Sequence, residues 1–219
     1  MSSNNVGDKT AYYHNPSGKG TRVLIIGGSA TVHPPDEELG FVGNFGLSAS
    51  DEHNDYVHVM LRYCEFAAPQ TSFLVVQSRL WEEDYLNEQL FNELFSPARE
   101  FCADVVVIFV GEHVCQQNFD AKLFERYYKK LVEFVKVKSN ACVLLCTTLF
   151  RSPCDKVIQD FANKNKLPCI FMGSLMLKEG MLGRTRYKSA YLDSFPNDRG
   201  MREIAEGILC IIGPFLKEE

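Results

Sequence analysis

Five short apolar runs constrain this chain more than any other feature: RVLII at 22–26, SFLVVQ at 72–77, DVVVIFV at 104–110, ACVLLCT at 141–147 and PCIFM at 168–172. They are close to continuously apolar and do not alternate, which is the pattern of strands covered on both faces. Helical periodicity fills the intervals. Residues 51–65 place Tyr56, Val57, Met60, Leu61 and Cys64 on one face, with Ser48 and Ser50 as candidate caps ahead of an acidic first turn. Residues 120–137 put Leu123, Phe124, Tyr127, Leu131 and Val135 on one stripe. Residues 153–164 open with a proline, which a first helical turn tolerates. Residues 198–215 align Met201, Ile204, Ala205, Ile208 and Ile212. Strand alternating with helix predicts a three-layer α/β/α sandwich around a central five-stranded, mainly parallel sheet of the flavodoxin-like kind. No repeat or second domain interrupts it. Residues 1–20, rich in Ser, Asn and Gly, read as a flexible lead, and 21–219 as one domain.

Composition narrows the function classes. At 219 residues and 46% hydrophobic content the chain can bury one core without disulfide or metal staples. A net charge of −5 argues against nucleic acid, whose binders carry a basic face, and against a membrane surface. The N-terminus lacks the apolar stretch of a secretory signal, and no run approaches the ~18 apolar residues of a spanning helix. None of the eight cysteines forms CxxC or joins a histidine at zinc spacing. Cys142, Cys146, Cys169 and Cys210 lie in or beside apolar runs, so reduced thiols acting as small core hydrophobes are expected, in a cytoplasmic setting.

The turn after the first run, IIGGSAT, is neither GxGxxG, nor GxxxxGK[ST], nor GxSxG, so no nucleotide cofactor is expected, nor any metal. It does carry Ser29, three residues past the first run, while Glu112 and His113 lie two and three past the third. In doubly wound sheets ligands bind beyond the carboxyl ends of the strands, where strand order reverses. Were the first and third runs neighbours, as in the order 2-1-3-4-5, they would lie about 4.8 Å apart and Ser29 would face His113 across one crevice.

The order of these turns resembles the SGNH, or GDSL-type, hydrolases over nearly the whole chain. Gly27-Gly28-Ser29 with Thr31 is similar to their first block. The stretch from His33 to Leu61 is similar to the segment bearing the second-block glycine, here Gly43 or Gly46. Gly111-Glu112-His113 matches the third block, and YLDSFPNDRGM at 191–201 the last. The resemblance implies an SGNH-hydrolase fold and a nucleophilic Ser29, with N–H groups of Ser29 and Gly43 or Gly46 holding an oxyanion. The departures fall on the chemistry. Gly28 replaces an Asp or Asn, His113 an Asn, and Leu192 the acidic residue of the last block, with Asp193 beside it. Phe195 replaces the catalytic His.

Phenylalanine cannot accept a proton, and serine needs a base within reach. His113 is the expected substitute base, oriented by Glu112, Asp193 or Asp198. Gly28, Gly43, Gly46, Glu112, Asp193 and Phe195 are expected to line the oxyanion and substrate pocket, and His113 can also serve as an oxyanion donor. His33 is a second candidate base. Thr147 and Thr148 end the fourth run, and Arg184, Arg186 and Lys188 form a basic stretch. His58 and Trp81 are expected to be packing residues, and His53 a helix-start residue. Three readings stay open: an ester hydrolase acting on a small acyl or acetyl ester, carbohydrate-linked or not; a catalytically degenerate protein that binds an acylated or sugar ligand; and a protein-interaction module. A homo-oligomer is compatible with each.

Overall fold

The structure is a computed structural model and describes residues 11–183 and 190–216. In chain order the first half holds β1 (Ala11–His14), β2 (Arg22–Gly27), α1 (Tyr56–Ala67), β3 (Ser72–Gln77), α2 (Arg79–Glu83), α3 (Glu88–Phe101) and β4 (Val105–Phe109). The second half holds α4 (Ala121–Val135), β5 (Cys142–Cys146), α5 (Cys154–Asn165), β6 (Cys169–Ile170), α6 (Met172–Leu175) and α7 (Asp198–Ile212). The strands form one six-stranded sheet in the order β1-β3-β2-β4-β5-β6. The five expected strands are all parallel. The sixth, β1, is antiparallel to β3, with Ala11 opposite Val76 and His14 opposite Phe73.

β1 corrects the expectation of a five-stranded sheet and of a flexible lead through residue 20. AYYH is a tyrosine-rich segment suited to a half-buried edge. The chain after it is tied down as well. Asn15 Nδ2 donates to the carbonyls of Pro69 and Thr71, Ser72 Oγ donates to Asn15 O, and Gly20 N donates to Gln70 O.

The two-residue period of each strand divides the core. Val23, Ile25, Val75, Val105 and Val107 pack in the layer of α1 and α7, while Leu24, Ile26, Val76, Val106 and Ile108 pack in that of α3, α4 and α5. Val23 through Ile26 are all 0% exposed. Burial of such side chains contributes about 1.5–3 kcal/mol each, which holds β2 at the centre of the sheet.

Side-chain oxygens open the helices. Asn87, Asp120 and Asn197 accept N–H groups at the starts of α3, α4 and α7. At α1 the cap is Asp55, which accepts the His58 N–H, and not Ser48 or Ser50. A separate 3-10 turn at Glu52–Asn54, capped by Asp51, intervenes. Ser48 instead donates from Oγ to Leu192 O. On α4 the buried face runs through Phe124, Tyr128, Leu131, Val132 and Val135, one residue round from the expected stripe. All eight cysteines are unpaired; Cys64, Cys146 and Cys154 are buried, whereas Cys115 and Cys210 are exposed. Cys210 thus departs from the expected core position, being turned outward between buried Ile208 and Ile212 on α7. Among the described residues no helix is long and apolar enough to cross a membrane.

Candidate active site

β2 and β4 are adjacent and in register, with Gly27 opposite Phe109. Both chains therefore leave the sheet at the same level. After β2 the backbone turns, and the N–H groups of Thr31 and Val32 both donate to Gly28 O. After β4 it turns at Gly111, whose φ of +112° suits glycine. A Cβ there would also come within 3.1 Å of Cys154 Cβ and Thr148 Cγ2. The two turns bring Ser29 Oγ to 2.9 Å from His113 Nε2. Ser29 is 1% exposed and His113 half-buried.

A residue the sequence did not single out holds this arrangement. Glu82, on α2, is 0% exposed, and its Oε2 accepts the His113 backbone N–H at 2.7 Å. Its Oε1 accepts Ser78 Oγ at 2.6 Å. Burial raises the Glu82 pKa, and the N–H groups of His113, Gly111 and Glu112, with the Ser78 hydroxyl, pull it back down. The carboxyl is thus the centre of a backbone nest that shapes the turn carrying His113. The sequence signal was slight: a serine four residues before a glutamate beside the lone tryptophan.

Electrostatics assign protonation states. Burial, then the Arg79 guanidinium, pushes His113 down to about 4. At neutral pH the ring is uncharged, and with its proton on Nδ1 the Nε2 lone pair accepts the Ser29 hydroxyl. The opposite shift occurs next to it: burial, then the charge of Glu82, pushes Glu112 up to about 8. His33 is buried, its Nδ1 2.7 Å from Pro34 O, and burial lowers its pKa. His33 lies near enough for its charge to oppose that of His113.

No family profile matches the sequence, and no curated protein matches it. Solved structures do. One is the psychrotrophic esterase EstA from a Pseudoalteromonas species, inhibited by monoethylphosphonate. It has a TM-score of 0.58 and 12% identity, over 90% of this chain and 98% of that one. Another is a two-domain esterase, CEX, active on acetylated mannans. It has a TM-score of 0.53 and 16% identity over 94% of this chain, which spans about half of that protein. A third is a member of the lipolytic G-D-S-L family from Veillonella parvula, with a TM-score of 0.53 and 12% identity over 88% of this chain and 98% of that one. The chain has the SGNH hydrolase fold.

Within the SGNH fold several expected site residues lie elsewhere or are otherwise engaged. Gly46 N–H donates to Asp55 Oδ2 at 2.9 Å. Gly43 packs against the Phe45 ring. Asp198 Oδ1 accepts the Ser50 N–H at 2.7 Å, and Asp193 is exposed. Among the described residues the His113 ring has one hydrogen bond, to Ser29, so neither aspartate nor Glu112 orients it. Phe195 is 0% exposed, its ring edge-on to Phe150 at 5.0 Å, which makes it a core residue. Thr147 and Thr148 hold the loops after β5: Thr147 Oγ1 accepts the Met172 N–H, and Thr148 bonds Asp155. His58 stacks near Tyr12 and bonds Asp55 at 2.9 Å. Burial opposes its charge, but the hydrogen bond and charge of Asp55 prevail and raise its pKa. Trp81 is fully buried. Arg184, Arg186 and Lys188 lie outside the described residues.

Proposed function

We propose that this chain is a serine ester hydrolase acting on a small acyl or acetyl ester, with Ser29 as nucleophile and His113 as base. The observation that carries this reading is the 2.9 Å contact between Ser29 Oγ and His113 Nε2. Ser29 Oγ attacks the ester carbonyl as its proton passes to Nε2, and the carbonyl π pair moves onto oxygen. That pair returns, the C–O bond to the alcohol breaks, and the leaving oxygen takes the proton from Nε2. Water then attacks the acyl-serine, again giving a proton to Nε2. Collapse releases the acid and returns the proton to Ser29 Oγ. The N–H groups of Ser29 and Ala30, which act on the Glu112 carboxyl in the resting site, are the donors that replace Gly46 once the oxyanion takes that place.

Esterases among the structural neighbours support the reaction class, and the activity of one of them on acetylated mannans supports a carbohydrate-linked acetyl ester. Eight unpaired thiols support a reducing, cytoplasmic setting. With no carboxylate on the His113 ring among the described residues, turnover is slow. Loss of the orienting acid from a Ser-His-Asp triad costs about 10⁴ in kcat.

The test is prolonged incubation with a fluorophosphonate, since Ser29 is buried, followed by peptide mapping. An adduct on Ser29 that is lost in Ser29→Ala and slowed in His113→Ala is the expected result. A second reading, a ligand-binding protein that has lost catalysis, is favoured by the aromatic core residue at position 195. Absence of any adduct, together with retained binding of acetylated oligosaccharides, selects it.

A further inference from the structure

Glu112 carries a carboxyl to which the Ser29–His113 chemistry gives no task. It occupies a particular place. A Cβ at Gly28 would lie 2.9 Å from Glu112 Oε2, 3.3 Å from His113 Cδ2 and 3.4 Å from Glu82 Oε1. The Glu112 carboxyl thus fills the space that the side chain of a first-block Asp or Asn would enter. Its Oε1 is buried without a hydrogen-bond partner. The N–H groups of Ser29 and Ala30 act on the same carboxyl. An oxyanion held by those two N–H groups therefore comes into contact with Glu112. Were Glu112 ionised, that contact would be repulsive and the site would be plugged. With its proton in place, the contact is a hydrogen bond.

We infer that Glu112 is a catalytic residue that works as a neutral acid, donating its carboxyl O–H to the oxyanion of the Ser29 adduct. The inference rests on the ester-hydrolase reading and adds to it an oxyanion donor beside His113, which stands where the family resemblance implies an asparagine. The proton stays on Glu112; no bond to it breaks. The surrounding groups favour this state. Glu82, on α2, is a second buried carboxyl, but it is surrounded by N–H and hydroxyl donors that Glu112 Oε1 lacks. Arg79 on α2 and the Ser29 and Ala30 amides favour ionisation of Glu112, and burial and Glu82 outweigh them. Tyr56 on α1 has its own pKa raised well above normal by burial and remains neutral. The neighbouring His113 ring is likewise uncharged at neutral pH, its pKa being about 4. Glu112, pushed up to about 8, keeps its proton through neutral pH.

The experiment measures the second-order rate of Ser29 phosphonylation by a fluorophosphonate from pH 5 to 10 in wild type, Glu112→Gln and Glu112→Ala. In wild type the rate falls about tenfold per pH unit above the Glu112 ionisation. Glu112→Gln, whose amide donates at every pH, keeps the rate within about tenfold and loses that fall. Glu112→Ala is slower by about 10²-fold. Equal or faster phosphonylation in Glu112→Ala, or an unchanged alkaline fall in Glu112→Gln, overturns the role of Glu112 and leaves the hydrolase reading intact. No Ser29 adduct in wild type overturns both. A readout independent of activity is the infrared difference spectrum between wild type and Glu112→Gln. A protonated carboxyl band is expected at pH 6 and gone at pH 10; its absence at pH 6 overturns the inference.

Discussion

Replacing Glu112 by glutamine should change how the stability of this protein depends on pH. Burial, and then the charge of Glu82, raise the folded-state pKa from the ordinary 4.5 to about 8, against the pull of the Ala30 and Ser29 amides and of Arg79. In the unfolded chain the same carboxyl titrates near the model-peptide value of about 4.3. Between those two pH values the folded protein binds a proton that the unfolded chain has released. The stability this contributes is complete below the unfolded pKa and is lost as pH rises, at about 1.4 kcal/mol per pH unit for one proton. The loss ends when the folded carboxyl itself ionises. The whole shift has a ceiling of roughly 5 kcal/mol. Urea unfolding of wild type and Glu112→Gln from pH 5 to 9 measures it, since subtracting the two curves removes titrations common to both. Wild type should lose about 4 kcal/mol relative to the variant between pH 5 and 8.5, or ~8–16 °C in Tm. A difference that does not vary with pH would refute the burial argument.

Glu82→Ala strands the His113 N–H and the Ser78 hydroxyl in a closed site, and should cost about 2–5 kcal/mol by chemical denaturation while slowing Ser29 phosphonylation. Unchanged phosphonylation in a folded variant would show that Glu82 does not position His113. Phe195→His puts an imidazole into the packed space beside Phe150 and should lower stability by about 2–4 kcal/mol without raising ester hydrolysis. A tenfold gain in hydrolysis would show that this side chain reaches Ser29. Native-state titration with a thiol reagent should modify Cys115 and Cys210 quickly and leave Cys64, Cys146 and Cys154 unmodified until unfolding. Early modification of Cys154, whose thiol burial pushes up to about 12, would contradict its packing.

Legibility of the fold followed the physics of each segment. The parallel strands were readable because both faces are covered, so each is a continuous apolar run set between helical patterns. β1 was not, because an edge strand of four residues has only half a face to bury. α3 is harder to read in the sequence although Phe91, Leu94, Phe95, Ala98 and Phe101 recur at helical spacing. Its internal Pro97 reads as a breaker, yet packing holds the helix through it. The juxtaposition of Ser29 and His113 was foreseeable from offsets once the first and third runs were taken as neighbours, because parallel neighbours in register end at one level. The nest around Glu82 was not, since it is made of backbone N–H groups some thirty residues further on.

The sequence by itself determined the layer architecture and which end of the sheet carries the polar turns, because apolar period and strand order are local properties that survive without coordinates. Only the tertiary structure decided which groups meet there. It committed the Gly46 amide to Asp55, sealed Phe195 in the core, and put the Glu112 carboxyl into the space above Gly28. Hydrogen bonds and desolvation depend on distances of a few ångströms between residues far apart in the chain, and residue type does not encode those distances.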